Sequence, residues 1–241
     1  MLTWGRESIR SPSTAIVELV KNSYDAGASV AIVQIFSKSS DRREIRVLDN
    51  GEGMNERDID DSWLCLGYSA KRRERKTKAG RRKTGEKGVG RISADRLGAS
   101  LELRSKKSRS PAIWLRVDWS MFETSGKTLG EIDVAWSSGA DIAPSPLPDS
   151  LRQHQRSTGS ELIITALRDP WSESEIAELR RELSALTSPF VDLGGFEVHV
   201  ISDVSPGENG PVASPFHHSA VVDGEFSIDD GGGIKWSLTS P

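Results

Sequence analysis

Apolar positions first fall into a helical rhythm between Ser13 and Ala26, where Ile16, Leu19 and Val20 share a stripe and Gly27 follows as a stop. The rhythm then turns to that of strands. Val30 to Phe36 and Ile45 to Leu48 are β-rich runs flanking the polar turn Ser37 to Arg42, which predicts a hairpin. Asn55 can cap a helix from Glu56 to about Leu66. From Gly67 to Lys83 the pattern collapses into charge, serine and glycine, as expected of a long mobile loop.

Order returns with a short helix over Gly88 to Leu97. Strand-like runs follow at Ser100–Arg104, Ile113–Trp119, Glu131–Trp136 and Glu161–Ala166, and Ser138 to Arg156, with three prolines, reads mostly as loop. Ser172 to Glu175 forms a capping box for a helix over Glu175 to Ala185. Further strands are predicted at Phe196–Ile201, Ala220–Ile228 and Ile234–Leu238, with Ser205 to Pro215 as a Pro- and Gly-rich linker. Strands outnumber helices without alternating with them, so the class is α+β rather than doubly wound α/β.

Composition narrows the function classes. At 241 residues, 36% hydrophobic and 28% charged, the chain suits one large globular domain or two modest ones. No run of eighteen apolar residues is present, so no membrane partner is expected, and the N-terminus lacks an export signal. The single cysteine, Cys65, excludes an intrachain disulfide and reads as a small buried hydrophobe. A net charge of -3 argues against a nucleic-acid-binding surface overall. The charge is uneven, however, with eleven Lys or Arg and two acids between Lys71 and Arg91.

Three segments carry candidate chemistry. Glu18, Asn22 and Asp25 stand at i, i+4 and i+7, on one helix face. They read either as a solvated stripe or as a base, Glu18, one turn from a neutral oxygen ligand for Mg²⁺, Asn22. Asp49-Asn50-Gly51-Glu52-Gly53-Met54 is either a strand-ending turn or a buried carboxylate set among glycines that admit a flat base. Gly85, Gly88 and Gly90 run into a helix start and can aim backbone N–H groups at an anion. The last is neither a Walker loop, lacking Gly-Lys-Ser/Thr, nor a dinucleotide fingerprint, lacking a preceding apolar strand.

In order and spacing these segments resemble the GHKL, or Bergerat-fold, ATPases: gyrase B, the large heat-shock chaperone, histidine kinases and MutL. Glu18 to Ala28 is similar to the N-box of MutL and microrchidia ATPases, Asp49 to Met54 to the adenine box, and Gly85 to Gly90 to the phosphate box at the end of the lid. A weaker fourth match is Thr158 to Ile164, where Ser160 replaces the usual threonine. The resemblance spans roughly residues 10 to 200. It implies a two-layer α/β sandwich with a mixed sheet, helices on one face and an ATP lid. Residues 1–204 would form that domain, with 205–241 a linker and the start of a β-rich segment truncated from a longer protein.

The same resemblance implies residue roles. Glu18 is the general base for water, Asn22 the Mg²⁺ ligand and Asp49 the acceptor of the adenine amine. Asp25 orients its neighbours. Gly51 and Gly53 admit the base, and Met54 packs on it. Gly85, Gly88, Val89 and Gly90 cradle phosphate, and Ser160 completes the adenine side. Lys87 departs from most relatives and either neutralises phosphate charge in catalysis or faces solvent. Ser69 and Lys71 resemble lid-entry residues that reach the nucleotide when the lid closes.

The expected activity is slow Mg²⁺-dependent hydrolysis of ATP to ADP, working as a lid-closure and homodimerisation switch in the cytoplasm, or in the nucleus of a eukaryote. The alternatives are a nucleotide sensor without turnover and a histidine kinase catalytic domain. The latter needs a phospho-acceptor histidine upstream, whereas His154, His199, His217 and His218 all lie late. Further domains or protein partners are expected. The basic stretch reads as a solvated loop, as a segment ordered by phosphate, or as a nucleic-acid contact that no interleaved aromatic supports.

Overall fold

The computed structural model describes residues 9–38, 42–59, 90–121, 134–139, 142–186, 195–213, 223–228 and 233–239. Helix α1 runs Pro12–Asp25, close to the expected span. Ser11 caps it by accepting from the Thr14 N–H, and Pro12 occupies the first turn, where a missing N–H costs nothing. Ala15, Ile16, Leu19 and Val20 are buried on its inner face. The helix stops where Gly27 takes φ +72°, a conformation that suits glycine.

Among the described residues eight strands form one mixed sheet: β1 (Val30–Phe36), β2 (Glu44–Asp49), β3 (Gly98–Lys106), β4 (Ala112–Asp118), β5 (Ala135–Gly139), β6 (Gly159–Leu167), β7 (Glu197–Ser202) and β8 (Gly210–Pro211). Their order is β5-β4-β3-β6-β2-β1-β7-β8, antiparallel throughout except for the parallel pair β1–β7. Among the described residues three further helices are α2 (Glu56–Asp58), α3 (Gly90–Leu97) and α4 (Glu173–Ser184).

Strand alternation sorts the core into two parts. Ala31, Val33 and Ile35 of β1 join Ile16, Val20, Leu97 and Leu179 in the main core, so α1, α3 and α4 share one face of the sheet. Val30, Ile32 and Leu48 point to the other face, where they meet Leu147 and Leu151 from an arch holding a 3-10 turn, Asp149–His154. The chain is therefore the expected two-layer α/β sandwich, with a short arch over part of its outer face.

Beyond the arch the outer face is charged. Glu161 is 1% exposed and accepts from Arg46 (3.1 Å) and from the Ser145 backbone N–H (2.9 Å). Arg46 also reaches Glu44 at 2.8 Å. Buried Asp95 of α3 is held by Arg168 at 2.9 Å, anchoring that helix to the end of β6.

Several boundaries differ from expectation. The strand expected at Glu131–Trp136 is Ala135–Gly139, so Ser138 belongs to a strand and not to the loop that follows. The capping box places Glu175 at the third helical position, which moves the start of α4 back to Glu173. The segment from Ser205, expected to be a linker from its prolines and glycines, continues the sheet over its described part. β8 pairs with β7, Asn209 accepts from the Ser202 N–H at 2.7 Å, and Val212 is buried in the main core. Pro211 is tolerated there because β8 is an edge strand. Strands β9 (Asp223–Ile228) and β10 (Ile234–Thr239) form a separate hairpin in which Trp236 is exposed. The loop expected over Gly67 to Lys83 lies outside the described residues.

The Glu161 carboxylate gives this scaffold a direct test. Glu161→Ala strands one side of Arg46 and the Ser145 N–H, and should cost about 2 kcal/mol in denaturant unfolding. A loss below about 0.5 kcal/mol would show that the arch does not depend on this carboxylate.

Candidate functional site

Helix α1 carries the first group. Glu18 and Asn22 are half-buried one turn apart, while Asp25 is buried. Glu18 is engaged by Lys21 at 2.7 Å, an i,i+3 pair on its own helix. That contact was not anticipated.

The second group lies where β2 ends against the C-terminal end of α1. Asp49 pairs in register with Ser160 of β6, and Ser160 with Ser105 of β3, so the three side chains stand in one row. The Asp49 carboxylate accepts from the Gly51 N–H (2.8 Å), from Ser23 Oγ (3.1 Å) and from the Ser160 backbone N–H. Burial nevertheless dominates and pushes its pKa up to about 6 from an ordinary 3.8. Three donors soften the desolvation without cancelling it.

Asn50 works differently from its neighbour. It is 2% exposed, with Oδ1 accepting from the Ser29 and Val30 N–H groups (2.8 and 3.1 Å) and Nδ2 donating to Ser29 Oγ and to the His154 carbonyl (2.8 and 2.7 Å). Both amide protons and both oxygen lone pairs are taken. Asn50 thus joins the start of β1, the loop and the arch, and has nothing left for a ligand. Arg156 adds to the join by donating to the Gly27 and Asn50 carbonyls at 3.2 and 3.3 Å.

The glycines answer to the protein's own backbone. A Cβ on Gly51 would lie 2.9 Å from the Ala26 carbonyl oxygen, and one on Gly53, at φ +67°, would lie 2.0 Å from that of Lys106. Expected to make room for a base, these glycines let the loop press against α1 on one side and β3 on the other. The Met54 N–H donates to Ser105 Oγ at 2.7 Å, and its side chain is partly buried against the main core.

The structure thus brings Asp49, Gly51, Gly53, Met54 and Ser160 together beside α1, which carries Glu18 and Asn22. Gly90 opens α3, which packs beside α1 in the same core. Ser69, Lys71, Gly85, Lys87, Gly88 and Val89 lie outside the described residues. Three positioning residues escaped the sequence reading. Ser23 and Ser105 had a visible signal, since each places a hydroxyl where the apolar rhythm (Ile16, Leu19; Leu101, Leu103) calls for a hydrophobe. Asn50 gave none beyond its place beside Asp49.

A buried carboxylate at a strand end, glycine contacts around it and a helix bearing Glu and Asn define a GHKL-type ATPase domain. Residues 9–142 match the family described as "Histidine kinase-, DNA gyrase B-, and HSP90-like ATPase", and the chain belongs to that family. Shorter stretches are similar to DNA mismatch repair protein MutL. The match is 40% identical over 60 residues in Chlorobium limicola, covering 25% of this chain and 9% of that protein. It is 42% over 60 residues in Syntrophotalea carbinolica and 43% over 53 in Streptococcus sanguinis, with 9% and 8% of those proteins covered. The matched region is therefore under a tenth of the length of these relatives. Among the described residues no helix is long and apolar enough to cross a membrane.

The raised Asp49 pKa fixes the sign of a stability effect. The folded state holds this proton more tightly than the unfolded chain, so the contribution is fully present below pH 3.8 and is lost as pH rises through about 6. The stability of wild type minus that of Asp49→Ala should therefore fall between pH 4 and pH 7, by on the order of 3 kcal/mol. Urea unfolding of both at each pH measures it, and a difference that is flat or rises with pH contradicts the burial of this carboxylate.

Proposed function

We propose that the chain binds Mg-ATP between α1 and the Asp49 row and hydrolyses it slowly, serving as a conformational switch. The observation that carries this reading is Asp49 itself, a desolvated carboxylate beside two hydroxyls at the C-terminal end of α1. An exocyclic amine is the kind of donor it lacks, and an adenine base supplies one. Ser160 lies on the same row to complete the base contact. Met54, fixed through its N–H, packs on the base. Gly51 and Gly53 set the loop that frames it.

Glu18 holds or takes the proton of the attacking water, and Asn22 offers an amide oxygen one turn further on. A neutral amide and a nearby carboxylate are hard oxygen donors that suit Mg²⁺. Among the described residues no group of three or more His, Cys, Asp or Glu is placed to hold a metal, so the ion would rely on Asn22 and the phosphates. Bound there, it would neutralise phosphate charge. Gly85, Gly88, Val89 and Gly90 supply backbone N–H groups to the phosphates, with Lys87, Ser69 and Lys71 closing from the lid. Lid closure with homodimerisation, further domains or protein partners beyond the β9–β10 hairpin, and a cytoplasmic setting complete this reading.

A second reading has its own support. The Lys21 ammonium sits on a Glu18 carboxylate oxygen at 2.7 Å and occupies a position the attacking water would need, which favours a domain that binds ATP and senses it without turnover. Phosphate release from Mg-ATP over hours, with binding confirmed, separates the two. Wild type should turn over and Glu18→Ala should lose at least about a hundredfold. Binding without release in the wild type would leave the sensor.

A further inference from the structure

A cleft of about 220 Å³ lies between the arch and the sheet, where β2 and β3 end and β6 begins. Leu48 borders it and belongs to the outer apolar cluster with Leu147, so the cleft opens on the face away from α1. Leu48, Pro144, Pro146 and Leu147 give it an apolar side. Lys106, Arg156 and Thr158 give it a polar one. A cavity of about 150 Å³ is enough to hold a benzene ring, so this one has room for a ring and a small polar group.

The charge that a ligand meets there is positive. Lys106 follows core-facing Ser105 on β3, so strand alternation sends it to the outer face. Its ammonium donates to the Ser110 carbonyl and has two protons left. Asp49 also borders the cleft, but its carboxylate is engaged on the other face by Ser23 of α1 and by the Gly51 N–H. Neither Lys106 nor Arg156 has a carboxylate partner among the described residues.

Arg156 is prepared for an anion. Its Nη1 donates to the Gly27 and Asn50 carbonyls at 3.2 and 3.3 Å, which fixes the guanidinium against the end of α1. Among the described residues nothing accepts from Nε or Nη2. Those two nitrogens carry the parallel N–H fork that matches the two oxygens of a carboxylate. The Thr158 hydroxyl is likewise without a partner among the described residues.

We propose that this cleft binds a small organic carboxylate, its oxygens on Arg156 and its apolar body against Leu48, Pro144, Pro146 and Leu147. An inorganic anion would use the cations and leave the apolar side wet. A neutral ring would do the reverse. The site lies across the sheet from the Asp49 carboxylate and does not rest on the nucleotide reading.

The test is an NMR titration of the isotope-labelled chain with benzoate at constant ionic strength. Benzamide, a ring without the charge, and acetate, a charge without the ring, are the comparators. Benzoate should shift the Leu147 and Thr158 amides saturably with a Kd of about 1 mM, and both comparators should bind at least about fivefold more weakly. Arg156→Gln should weaken benzoate at least about tenfold, the worth of a charged fork. That change also cuts the ties to Gly27 and Asn50, so Lys106→Gln is the second variant, with about threefold weakening expected. Equal binding of benzoate and either comparator overturns the proposal, as does wild-type affinity in both variants. No shift at about 20 mM benzoate, well above the expected Kd, overturns it too. So do shifts centred on the Ser23 and Gly53 amides, which would put benzoate on the α1 side of the sheet.

Discussion

The structure depends on keeping a carboxylate, Asp49, out of water at the point where β2 meets the end of α1. Desolvation alone would drive it toward its neutral form, and its pKa of about 6 records how far that pressure is met. Three protein donors meet part of it, and each comes from a different element: Ser23 from α1, Gly51 from the loop and Ser160 from β6. Helix, loop and sheet are thus fixed relative to one another by the group that the site needs. A shift in any of them leaves the charge less well satisfied.

Asn50, Arg156 and Ser105 extend the same constraint outward. Asn50 commits its whole amide to β1 and the arch, and Arg156 ties the arch to the end of α1. Ser105 ties the loop to β3 and β6 from beneath. The glycines let these contacts close, since side chains at Gly51 and Gly53 would strike Ala26 and Lys106. What reads in the sequence as a ligand-admitting motif is equally a packing requirement of the fold. Both follow from a loop pressed between a helix and a sheet.

Much of this was legible in the sequence. The stripe of Ile16, Leu19 and Val20 gave α1, and alternation gave β1, β2, β3, β4 and β6 nearly to their ends, because their buried faces leave no other register. Glu18, Asn22, Asp49 and Ser160 were singled out by spacing and resemblance, and the fold sets Asp49 and Ser160 opposite each other on neighbouring strands. The misses have physical causes. Gly210 and Pro211 look like linker because their pairing with β7 is supported by side chains outside the strand, Asn209 on Ser202 and Arg180 on the Pro211 carbonyl, which no apolar pattern shows. The Glu18–Lys21 pair depends on rotamers, not on pattern. The Ser105 network joins residues 51 and 55 positions apart, which no local rhythm can show.

The central claim is that Asp49 receives the base of a nucleotide. Calorimetric titration of Mg-ATP into wild type and Asp49→Asn at pH 8, where the carboxylate is ionised, tests it most directly. Loss of a charged acceptor beside a donor-only amine should weaken binding at least about tenfold. Equal affinity in the two proteins, with Asp49→Asn folded, would contradict the account.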